Sequence, residues 1–174
     1  RRRATPSSPA CCVAAKPNPK ADTAAHVIRF IEALTVPSGK GAGKRFKLRP
    51  FQLAFIRAVY GPRRGGRRIV RRAILSIARK NGKTALIAAI ALAHLVGPVA
   101  ERNGEIYSAA NDREQAAQVF KVCKQIIDAE PELAAVLIVV PSTKTIANPD
   151  NGSFFRAPSS ETGTKHGLKP PAVI

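Results

Sequence analysis

The chain has 174 residues, enough for one domain, and its 45% hydrophobic content is enough for a core. Only 5% is aromatic, with no Trp and no Met, so that core has to be built from Ala, Val, Ile and Leu. Lys and Arg total 29 against 11 Asp and Glu, a formal charge of +18, which favours a polyanionic partner such as DNA, RNA or an acidic surface and says nothing of fold.

The first residue is Arg1 and no Met occurs anywhere, which reads as a fragment or a start lying upstream. Residues 1–22 are basic and rich in Pro and Ser, the composition of a disordered lead-in, and lack the amphipathic pattern of a transit peptide. Cys11 and Cys12 are adjacent and Cys123 stands alone. Neither arrangement has metal-ligand spacing, and the odd number argues against a disulfide framework, so a reducing cytosolic setting is the default. No apolar run reaches the ~20 residues that a bilayer-spanning helix needs.

Thr23 is placed to cap a first helix in which Ala24, Val27, Ile28, Ile31 and Leu34 recur at helical spacing. Residues 37–43 break it. A second helix is predicted from near Pro50 through Phe51, Leu53, Phe55, Ile56 and Val59, ended by Gly61 and Pro62. Between Glu32 and Glu101 there is no acidic residue, while Arg63, Arg64, Arg67, Arg68, Arg71 and Arg72 crowd together. That stretch is either a solubilising basic loop or a contact for phosphate groups, which would make binding steeply salt-dependent. Residues 72–78 form a short apolar run suited to a strand buried on both faces. Residues 85–96 read as an apolar helix stopped by Gly97 and Pro98, 105–109 as a strand, and 112–130 as an amphipathic helix. Strand, helix, strand, helix in this order is the signature of parallel βαβ units. Residues 143–147 and 153–156 suit a hairpin across the Asn151–Gly152 turn signal; 161–171 is loop-like, and Ala172 begins a new apolar run.

The chemistry centres on Ile77-Ala78-Arg79-Lys80-Asn81-Gly82-Lys83-Thr84. A phosphate-binding loop, or Walker A motif, needs a strand feeding a tight turn, backbone N–H groups around a phosphate, a Lys for the outer phosphates and a hydroxyl for Mg²⁺. Gly82, Lys83 and Thr84 match the end of G-x-x-x-x-G-K-[ST], whereas Ile77 stands where the first Gly is expected. Arg79 adds positive charge beside the nucleotide. It is either a finger acting in cis on the transferring phosphoryl group or an ordinary exposed Arg.

Leu48-Arg49-Pro50-Phe51-Gln52, Val59-Tyr60-Gly61, the run from Ser76 to Thr84, Ser108-Ala109-Ala110-Asn111 with Gln115-Ala116, and Gly163-Thr164-Lys165-His166-Gly167-Leu168 together resemble the ATPase domain of tailed-phage terminase large subunits. The resemblance runs in order from about His26 to Ile174. It implies an α/β fold of the P-loop NTPase, additional-strand type: a parallel sheet with flanking helices over residues 23–174, incomplete at the C-terminal end. It implies ATP and Mg²⁺ as cofactors, held by Lys80, Asn81, Gly82, Lys83 and Thr84, with Thr84 on the metal and Arg79 as the catalytic residue. Gln52 matches a glutamine that reads adenine, since an amide both donates to and accepts from the base edge. A polar residue on the exposed face of its helix is the alternative. His166 is taken as structural.

The implied activity is ATP hydrolysis driving DNA into a procapsid in the cytoplasm of a bacterial host. The implied partners are double-stranded DNA, a terminase small subunit and a portal protein, with no membrane. In that family an acidic pair follows the strand after a segment like 166–168. Here that strand is 172–174, and the 11 acidic residues include none placed at a strand's end. The chain is therefore expected to lack the Walker B carboxylates and the nuclease domain, and to be inactive alone. Two other readings stay open: a helicase-like P-loop ATPase, which need not keep Gln52, and a basic nucleic-acid-binding module without catalysis.

Overall fold

A computed structural model describes residues 22–39, 41–110, 113–157 and 172–173. The helices α1 (Thr23–Ala33), α2 (Pro50–Tyr60), α3 (Lys83–Leu95) and α4 (Arg113–Ala129) stand close to the expected spans. The cap of α1 is Asp22 and not Thr23: the Asp22 carboxylate accepts from the Ala24 and Ala25 N–H groups. A carboxylate reaches these N–H groups from one position further out and also complements the helix dipole. Thr23 instead begins the helix, and its hydroxyl receives the Arg63 guanidinium.

Helix α3 forms the centre of the core. Its sequence is apolar all round, which suits a helix covered on every side rather than one with a wet face. Ala88, Ala89, Ala91, Leu92 and Leu95 are all buried. The three small alanines let neighbours approach closely, and Cys123 of α4 comes near enough for its Sγ to point at the Ala88 carbonyl oxygen at 3.6 Å. Ile31, Ile56, Ile106, Ile126 and Phe155 complete the cluster, each worth about 1.5–3 kcal/mol when fully buried. The C-terminal end of α3 is tied off by side chains. The Leu95 carbonyl accepts from Asn148 Nδ2 and Asn151 Nδ2, both at 2.9 Å, and from Ser153 Oγ at 3.2 Å.

Those three residues belong to a hairpin of β5 (Thr145–Asn148) and β6 (Ser153–Arg156), paired across the expected turn. Gly152 there has φ +72°, and a methyl in its place would stand 2.3 Å from Asn103 Oδ1, so glycine is required. The full sheet runs β4-β5-β6-β3-β7, where β3 is Glu105–Tyr107, β4 is Ile138–Val140 and β7 is Ala172–Val173. Strand β3 is parallel to both β6 and β7, whereas β4, β5 and β6 run antiparallel. The sheet is thus mixed, not wholly parallel as expected, because the hairpin turn reverses the chain before β6 joins β3. Short α5 (Pro131–Val136) and β4 were not anticipated.

Residues 72–78 correct a further expectation. They pair with no strand among the described residues, and Ile74 is 93% exposed. A strand is defined by its neighbours as much as by its own residues, and an apolar run without a ladder partner is only extended chain. The arginine-rich stretch instead holds a second element pair. Strands β1 (Arg63–Arg64) and β2 (Arg67–Arg68) form an antiparallel hairpin turning through Gly65 and Gly66, both at positive φ.

Candidate functional site

Two helix N-termini converge on the loop of residues 79–82. The first belongs to α2. Pro50 opens that helix, which costs nothing where an N–H would lack a partner. Gln52 folds back so that its Oε1 accepts the Arg49 N–H at 2.9 Å. The second belongs to α3, whose cap is Gly82 at φ +74°, ψ +21°. No side chain caps α3, so its first N–H groups remain available to an anion, at the positive end of the helix dipole.

The loop itself has the backbone of an anion cradle. Lys80 has φ +65° and Gly82 φ +74°, while Asn81 between them keeps a negative φ. Left-handed residues in a tight turn before a helix direct backbone N–H groups toward one point and create a concavity of positive potential. Lys83 Nζ reaches back across the loop to donate to the Ile77 carbonyl oxygen at 2.9 Å. Asn81 Nδ2 donates to the Ala78 carbonyl at 3.4 Å, and Arg49 Nη1 donates to Asn81 Oδ1 at 3.2 Å. Beside the loop lies an open cleft of about 610 Å³ lined by Arg49, Pro50, Phe51, Ile77, Ala78 and Asn81.

Of the expected site residues, Gln52, Asn81, Gly82 and Lys83 are brought together. Gln52 is only 8% exposed, not a polar residue on a wet face, and an added Cβ on Gly82 would meet its Nε2 at 3.7 Å. The amide is therefore divided: its oxygen holds the start of α2 and its nitrogen faces the loop. Thr84 is half-buried in the first turn of α3. Arg79 and Lys80 are exposed and make no hydrogen bond or ion pair among the described residues. His166 and its neighbours lie outside the described residues. Arg49 is an additional member of the site, and its contact with Asn81, 32 positions away, gave no signal in the sequence.

A second cluster stands at the opposite ends of α2 and α3. Tyr60 closes α2, and its hydroxyl meets His94 Nε2 at 3.0 Å. The Arg68 guanidinium lies 5.6 Å from the centre of the Tyr60 ring. Burial, and then the positive charge of Arg68, hold the His94 imidazole down at about 4. Burial pushes the Tyr60 phenol up to about 12, with Arg68 opposing. Among the described residues no helix is long and apolar enough to cross a membrane.

Known proteins give the arrangement its family. The model of the terminase large subunit ATPase domain matches residues 50–174. The large terminase subunit of Enterobacteria phage HK97 is 47% identical over 149 residues, covering 85% of this chain and 29% of that protein. The crystal structure of the HK97 bacteriophage large terminase superposes with a TM-score of 0.75 at 44% identity, covering 86% of this chain and 30% of that one. The chain thus spans under a third of the length of these relatives. On the fold, the sequence identity and the family match together, this chain belongs to the terminase large subunit family and carries sequence of its ATPase domain.

Proposed function

We propose that this chain is the nucleotide-binding part of an ATP-driven motor that packages double-stranded phage DNA, with a fold of the P-loop NTPase type. The observation that carries the reading is the loop of residues 79–82, with Lys80 and Gly82 at positive φ on either side of Asn81 and Lys83 folded across it. Lys83 Nζ sits over the concavity on the Ile77 carbonyl, a contact it would exchange for the outer phosphates of ATP. The free N–H groups at the start of α3 would receive phosphate oxygens in the same place. Mg²⁺, when bound with ATP, neutralises charge on the phosphates, and the Thr84 hydroxyl is the group of this chain that would join its shell.

Lys80 and Arg79 add charge at the mouth of the cleft, and Arg79 is free to swing onto the transferring phosphoryl group. Gln52 keeps one oxygen lone pair and its amide N–H groups for the adenine edge. Among the described residues that line the cleft there is no carboxylate, and on the expectation drawn from the sequence this stretch binds nucleotide without turning it over at a measurable rate. By family likeness the remaining partners are a terminase small subunit and a portal protein, met in the cytoplasm of a bacterial host.

The test is calorimetric titration of the chain with Mg–ATP. Lys83→Ala should remove most of the affinity and leave the circular dichroism spectrum unchanged. Equal binding by both proteins would end the assignment of Lys83 to the phosphates.

A further inference from the structure

The arginine hairpin is a separate site. Strands β1 and β2 pair Arg63 with Arg68 and Arg64 with Arg67. Like charges directly opposite each other on a hairpin repel and destabilise it, so each pair needs a reason to stand there. The first pair has partners within the fold. Arg63 donates to the Gly66 carbonyl and to Thr23 Oγ1, which clasps the turn to α1. Arg68 lies over the Tyr60 ring. The second pair has none: the side chains of Arg64 and Arg67 are exposed and form no hydrogen bond or ion pair among the described residues, and the same holds for the Arg71 side chain.

Because side chains alternate across a strand, the pair with partners and the pair without lie on opposite faces of the hairpin. Arg67 and Arg71 also line, together with the partnered Arg63 and Arg68, a cleft of about 490 Å³ between the hairpin and the C-terminal end of α3, with His94 and Tyr60 on its wall. One carboxylate, Glu101, lies on the same cleft, against four arginines. His94 stands about three turns along α3 from Lys83, roughly 16 Å away, so this cleft is not the nucleotide site.

We propose that Arg67 and Arg71, with Arg64 beside them, grip the phosphate backbone of duplex nucleic acid, while Arg63 and Arg68 only build the hairpin. This rests on the DNA-packaging reading and assigns its DNA contact to one surface. Guanidinium forks match phosphate oxygens in pairs, and neutralising the unpartnered arginines relieves the repulsion built into the hairpin. Neither effect depends on base sequence.

The experiment measures binding of the 174-residue chain to a short blunt DNA duplex by fluorescence anisotropy over a range of salt concentrations. Each neutralised phosphate contributes about −0.9 to the slope of log affinity against log salt. R67S/R71S should therefore shallow the slope by roughly 2, with little change in melting temperature. R67K/R71K keeps the charge and should keep the slope, which answers the case of a destabilised serine variant. K47S/K121S removes the same charge from two exposed residues outside the cleft, and its slope should change less than that of R67S/R71S. An unchanged slope in R67S/R71S, or an equal change in the lysine control, overturns the surface assignment while leaving duplex binding intact. Failure of the unsubstituted chain to bind duplex, or binding of heparin alone, overturns the DNA reading with it.

Discussion

His94 should make the stability of this chain depend on pH in a definable window. The ring is only 6% exposed, in contact with Tyr60, and its folded-state value is held at about 4 against an ordinary 6.5. Between those two values the unfolded chain binds a proton that the folded chain refuses. The unfolded state is then favoured as protons are added, so stability is full above about pH 6.5, falls as pH falls through the window, and levels off below about 4. At about 1.36 kcal/mol for each pH unit, the loss reaches roughly 3 kcal/mol. That is a large share of the 5–15 kcal/mol that typically separates folded from unfolded states (~10 at the centre). His94→Gln keeps a neutral hydrogen-bonding group opposite Tyr60 and takes up no proton, so the difference between the two proteins isolates this residue. Urea unfolding followed by circular dichroism, at pH values from about 7 to about 4, supplies the comparison. The wild-type curve should fall below that of His94→Gln by roughly 3 kcal/mol at the acid end, relative to neutral pH. Parallel curves across the window, with both proteins unfolding cooperatively, would refute the reasoning.

The divided amide of Gln52 gives a test in two variants. Gln52→Glu keeps an oxygen for the Arg49 N–H and loses the donor that faces the loop, so ATP affinity should fall without a lower melting temperature, whereas Gln52→Ala should lower both. Equal affinity for ATP and GTP in the unsubstituted chain would remove the adenine-reading role and leave Gln52 as a cap alone. At the other end of the fold, Asp22→Ala removes the acceptor for two helix N–H groups and should cost about 1 kcal/mol in thermal unfolding. No loss in that variant would return the capping role to a neighbour.

What could be read in the sequence divides along local and non-local physics. Helices α1, α2 and α4 announce themselves because each carries its own apolar stripe, and the β5–β6 hairpin because Asn151 and Gly152 mark its turn. The turn into α3 is legible for the same reason: Gly82, Lys83 and Thr84 are adjacent, and the handedness that Gly82 permits is a property of one residue. Residues 72–78 mislead because their apolar run satisfies every local condition for a strand, while the ladder partner that would make one has no local signature. β4 has three residues and depends on pairing with Thr145–Ala147, and α5 has six and depends on burying Leu133. Neither length carries a period long enough to read. Tyr60 and His94 are 34 positions apart, and a single histidine in an apolar helix does not say what it meets.

Gln52 and Gly82 show how far this limit reaches into the site. The resemblance assigns Gln52 a role toward adenine, and the structure adds that its oxygen sets the start of α2 while its nitrogen abuts the cap of α3. The Gln52 amide thus lies beside the start of α3, and the bond from Arg49 to Asn81 links the two regions from the exposed side. At their far ends the same two helices meet again through Tyr60 and His94, under the arginine hairpin. The loop of residues 79–82 and the basic cleft thus lie at opposite ends of the same two helices.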